Sequence, residues 1–154
     1  MNKEFKYGNV TRRNTRIGDK VYYITSPERG NSIDKHTHYD LVEVIAFTEK
    51  RVRIQDNDYN SYVNALHLFT RNVIEKKFVR IHISKSTHEV RVIPQSVQVR
   101  RDQDGAILVN AFVIESGHYQ TLVRFTGAGK LKKAKKWEAA IRAGKTLSET
   151  TIEV

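Results

Sequence analysis

The chain has 154 residues, 39% of them hydrophobic, which suffices for one domain or two small ones and is too apolar for a wholly disordered tail. It has no apolar run of about 18 residues to span a membrane, no apolar segment in MNKEFKYGNVTRRNTR that suggests a secretory signal, and no cysteine for a disulfide, thiolate zinc site or nucleophile. The 27 Lys and Arg exceed the 17 Asp and Glu by a formal +10, a sign that gathers polyanions, and the missing cysteines suit a reducing, cytoplasmic setting.

Residues 1–16 lack apolar periodicity and carry Lys3, Lys6, Arg12, Arg13 and Arg16 against Glu4, so they are expected as a flexible basic arm. Lys20 to Thr25 (KVYYIT) reads as a strand, and Ser26 to His38, with Pro27 and Gly30, as a long loop. Tyr39 to Phe47 reads as a buried strand, joined tightly through Thr48-Glu49 to Lys50–Gln55. In that second strand Val52 and Ile54 point one way and Arg51 and Arg53 the other. Asp56 to Asn60 is a turn cluster, followed by short strands at Tyr62-Val63 and Leu66 to Phe69. This layout predicts a small SH3-like barrel over 17–70, slightly acidic at −2, in which the sheet curls to hide its edges.

Residues 71–154 carry a local +8 and alternate again. Val79, Ile81 and Ile83 alternate with Arg80 and His82, Val90 and Val92 flank Arg91, and Val97 and Val99 precede Arg100 and Arg101. Asp104-Gly105 predicts a two-residue hairpin turn, with strands at Ala106 to Glu115 and Tyr119 to Phe125. After Gly127-Ala128-Gly129 the residues become helix formers, which predicts a helix at about 130–143 ended by Gly144, then a frayed SETTIEV tail. Leu131, Ala134, Trp137 or Glu138, and Ile141 form its apolar stripe. The fold class is therefore mainly β: an SH3-like (KOW/Tudor) small barrel, then a basic β-rich domain over 71–154 with a C-terminal basic helix.

Motifs for catalysis are missing. His36 and His38 are the closest histidines, lack further ligands, and read as solvated loop imidazoles rather than a metal site. Gly127-Ala128-Gly129-Lys130 lacks the spacing of a phosphate-binding loop, and Leu131 stands where its hydroxyl belongs. No G-x-S-x-G elbow is present, and Asp56 and Asp58 suit a turn better than acid–base work, so neither an enzyme nor a cofactor is expected.

What remains is the polyanion signal, and duplex DNA, with its closely spaced phosphates, is the partner expected. Lys130 to Lys145 holds seven positive charges against Glu138 alone, so Lys130, Lys132, Lys133, Lys135, Lys136, Arg142 and Lys145 are the principal candidate contacts. Arg12, Arg13 and Arg16 suit a minor-groove arm, the alternative being a solubilising terminus. Lys20, Lys76, Lys77 and Arg80 extend the candidate set. Arg91, Arg100 and Arg101 join it provided the strand arginines share a face. Trp137 is read as a core anchor, with groove contact as its other role.

The opening Gly18-Asp19-Lys20-Val21-Tyr22-Tyr23 and the strand pair Leu41–Gln55 are similar to a KOW/Tudor-type barrel. That barrel ahead of a basic β-rich half, in a cysteine-free chain of this size, resembles the MotB-type family of early transcription-modifying proteins of T-even phages. The resemblance implies a nucleoid-associated protein of an infected bacterium, binding duplex DNA with little sequence preference and competing with H-NS-type host silencers. Phosphate or minor-groove contacts would tolerate DNA modified in the major groove. Two other readings stand beside it. One is an RNA-binding or translation-associated module, with Tyr22, Tyr23, Tyr59, Tyr62 and Tyr119 as stacking platforms. The other is an adaptor whose acidic 17–70 module binds a polymerase or another basic surface.

Overall fold

The computed structural model describes residues 8–28, 33, 36–56, 59–82, 89–145 and 147–148. Lys3, Glu4, Lys6, Asp58, Ile83 and most of the SETTIEV tail lie outside them. The chain is mainly β and divides into two compact units, Met1–Thr25 with His38–Lys76, and Ser26–Thr37 with Lys77–Val154. No helix among the described residues is long and apolar enough to cross a membrane.

The first sheet contains β1 (Lys20–Glu28), β2 (His36–Phe47), β3 (Val52–Asp56), β4 (Tyr59–Val63) and β5 (Leu68–Thr70), in the order β4-β3-β2-β1-β5. A 3-10 turn at Ala65–His67 precedes β5, which returns the chain to pair antiparallel with β1. Alternation places Val21, Val42, Val44, Val52, Ile54, Val63 and Leu68 in one core. Several boundaries differ from expectation. β1 and β2 extend into the supposed loop, so His36 and His38 sit in a strand: His36 is buried edge-on to Tyr119, and His38 Nε2 lies 3.1 Å from Asp40 Oδ1. Asn60 belongs to β4, where its side chain accepts from Arg53, and Leu66 lies in the 3-10 turn, its N–H bonded to Asn64 Oδ1.

The expected flexible arm is docked in its described part. Val10 joins the barrel core at 5% exposure, and the N–H groups of Gly8 and Asn9 donate to the carbonyls of Leu66 and Leu68. Asn9 also exchanges two bonds with Thr70, and Asn14 closes a turn with Thr11. Residues 8–16 are thus tied to the first sheet by one buried valine and by backbone bonds, beside their exposed arginines. The short helix α1 (Arg71–Glu75) also belongs to this unit, because Ile74 is buried and Tyr22 Oη donates to Glu75. The second stretch of this unit therefore runs through Lys76.

The second unit contains β6 (Val79–His82), β7 (Glu89–Val92), β8 (Gln98–Arg101), β9 (Ile107–Val113), β10 (His118–Phe125), helix α2 (Lys130–Arg142) and β11 (Leu147–Ser148). The sheet order is β10-β9-β7-β6-β11, with β8 also paired to β9; all pairings are antiparallel except β11 with β6. The β8–β9 hairpin forms, but its loop runs from Asp102 to Ala106, because Asp102 Oδ1 accepts from the N–H groups of Asp104 and Ala106. Gly105 takes the positive φ of 83° that the turn requires. Ile33 donates its N–H to Val99 O, which covers the other edge of β8.

Helix α2 lies over the core made by Val97, Val99, Val109, Ala111, Val123 and Phe125. Ala134, Trp137 and Ile141 are buried there, and Trp137 meets the Phe125 ring in a T-shaped contact at 6.3 Å. Leu131 does not join them. It lies in the first turn at 37% exposure, and Glu138 is buried in the stripe with Trp137.

Candidate nucleic-acid interface

Within the first unit Arg12, Arg13, Arg16, Lys20 and Lys76 are all exposed. Arg12 holds its guanidinium 5.7 Å from the Phe47 ring centroid, and the Arg16 N–H donates to Asp19. Lys20 shares an open cleft of about 410 Å³ with Asn14, Asp19, Arg71 and Asn72. Arg71 was not anticipated; it reaches this cleft because α1 packs back on the barrel, although its Nε is held by Glu75 at 2.9 Å.

In the second unit the strand arginines do not form one row. Arg80 and Arg91 are direct partners across β6 and β7, with their guanidinium carbons 5.8 and 5.3 Å from the Phe78 centroid. Arg91 is bound in addition by Glu115, whose side chain accepts from both its backbone N–H and its Nε. Burial raises the Glu115 pKa, but these bonds and the arginine charge outweigh it and hold the carboxyl below its ordinary value. Arg100 and Arg101 are consecutive in β8 and so face opposite sides of the sheet. Lys77 is exposed and adjoins Phe78 in the chain.

The basic helix sorts its charges by angle. At 100° per residue, the buried stripe of Ala134, Trp137, Glu138 and Ile141 leaves Lys132, Lys136, Ala139 and Ala143 on the opposite side. Glu138 is turned toward one flank, 3.4 Å from Lys135 and 3.6 Å from Arg142. Arg142 Nη2 also donates to Val97 O at 3.0 Å, and Lys130 Nζ donates to Gly105 O, so these three cations brace the helix. Lys132, Lys133, Lys136 and Lys145 have no ion-pair partner among the described residues. The candidates are thus divided into structural cations and unneutralised ones.

The same helix begins against its own electrostatics. Its N-cap is Gly129, in the left-handed conformation with no side-chain cap, and no acid stands in the first turn. Lys130, Lys132 and Lys133 occupy that turn instead, where the positive end of the macrodipole repels cations by about 0.3–1 kcal/mol each. Local rules broken in this way are expected where a site is built.

Comparison with family models, curated proteins and solved structures returned no match. Among the described residues no three of His, Cys, Asp or Glu are grouped so as to hold a metal ion. Of the tyrosines considered as platforms, Tyr22 is fully buried, Tyr23 and Tyr119 are half-buried, and Tyr62 is 51% exposed; the Tyr59 side chain lies outside the described residues.

Proposed function

We propose that the protein is a non-catalytic duplex DNA-binding protein with little sequence preference. The observation that carries this reading is α2, where Lys132 and Lys136 on the outer face and Lys133 on one flank stand unneutralised while the single acid of the helix is drawn to the other flank. Lys132 and Lys136 are one turn apart, about 6 Å along the axis, so the two can meet neighbouring phosphates of one strand. Ala139 and Ala143 continue this face with small side chains, so a sugar–phosphate strand can lie close to the backbone. Such contacts gather affinity from counterion release and carry no base information.

Following the resemblance to the MotB-type family, we place this activity in the nucleoid of an infected bacterial host, in competition with H-NS-type silencers. A competition gel shift tests the binding reading. Unrelated duplexes of equal length should displace a labelled duplex equally, whereas a strong preference for one sequence would contradict it.

A further inference from the structure

We infer that the outer face of β2, β3 and β4 binds unpaired bases of a single-stranded nucleic acid. The register defines the surface. Glu43, Gln55 and Asn60 form one cross-strand row, and Ala46, Arg53 and Tyr62 form the next. The barrel core is made by the opposite face, with Val44, Val52, Ile54 and Val63, so the fold does not need an aromatic in the outer row. Yet Tyr62 stands there half exposed, with the Arg53 guanidinium 5.5 Å from its ring centroid.

The guanidinium is fixed. Its Nε and Nη2 donate to Asn60 Oδ1 at 3.3 and 3.0 Å, which holds its plane and leaves the Asn60 amide nitrogen to donate elsewhere. Ala46 beside it raises no wall. The result is an exposed ring with a planar cation over it, two groups that stack on a nucleobase, beside the Asn60 amide, which can reach a base edge. Lys50 and Arg51, exposed at the turn between β2 and β3, supply charge for the phosphates. A duplex keeps its base faces inside the stack, so this platform suits unpaired nucleotides and is separate from the lysine face of α2.

The test is fluorescence anisotropy of the full chain with labelled oligo-dT and oligo-U of about ten nucleotides, within the range of one small barrel. Both or either should bind, and comparing them identifies the preferred sugar. Tyr62→Ala should weaken single-strand binding by about tenfold or more, the stacking loss of one base. Tyr62→Phe, which keeps the ring, should stay within about twofold. Duplex affinity should be unchanged in both variants. Ultraviolet cross-linking of the unaltered chain gives a reading independent of any substitution, with an adduct expected on Tyr62 or its β4 neighbours. No oligonucleotide binding, an unaltered affinity of Tyr62→Ala, an equal loss of duplex affinity, or adducts confined to other segments would each overturn the inference.

Discussion

Replacing Lys132, Lys133 and Lys136 together by Gln isolates the charge that α2 leaves unneutralised. All three lie away from the stripe of Ala134, Trp137 and Ile141, so the fold should be retained. Each phosphate contact contributes about 0.9 to the slope of log affinity against log salt, so losing three should flatten that slope by about 2.7. Between 50 and 200 mM salt the parent should therefore lose about 40-fold more affinity than the variant. Lys135→Gln is the matched control, since Glu138 holds that lysine 3.4 Å away. Its slope should move far less than one full contact. Equilibrium titrations of one duplex at several salt concentrations, with circular dichroism melts for each variant, provide the measurement. A triple variant with the parent slope, or a Lys135→Gln slope shifted as much as one freed lysine, would refute the sorting of charges by angle.

Three further outcomes concern the scaffold. Val10→Ala should destabilise the protein by about 2 kcal/mol in urea denaturation, and Gly8→Ala should also destabilise it, because a Cβ there meets the carbonyl oxygens of Ala65 and Leu68; a flexible arm would show neither effect. Ser96→Ala should cost about 1–3 kcal/mol, since buried Ser96 Oγ accepts from the Phe112 N–H at 2.8 Å and donates to Ile93 O, and its loss strands the amide. Asp102 and Glu115 should titrate below their ordinary values of 3.8 and 4.5 by NMR: burial raises both, but the bonds from Arg124, Ala106 and Asp104 to Asp102, and from Arg91 to Glu115, outweigh it. Stability from these pairs is full above the ordinary values and fades as pH falls through the lowered ones, so Arg91→Gln should move the Glu115 midpoint upward.

Alternation made most strands legible, because a half-buried strand writes its two faces directly into the chain, as in Val79-Arg80-Ile81-His82. The basic helix was equally plain from its composition. What escaped the sequence depended on distant partners. Nothing local marks Val10 as a core residue; its burial follows from Gly8 and Asn9 pairing with the segment around Leu66 and Leu68. The two-residue hairpin at Asp104-Gly105 yielded to Asp102, whose carboxylate captures two backbone N–H groups. Charge counting treated Lys135 and Lys136 alike, although a neighbouring carboxylate separates their roles. The Arg53–Tyr62 pair was hidden for a similar reason, since two outward residues become a platform only when register sets them side by side.

The central claim is that duplex DNA seats on the unneutralised lysines of α2, and amide chemical-shift mapping of the full chain during a duplex titration tests it most directly. The largest perturbations should fall on Lys132, Lys133 and Lys136 and should be the same for two unrelated sequences. A map that leaves α2 unmoved, or that changes with the sequence, would contradict it.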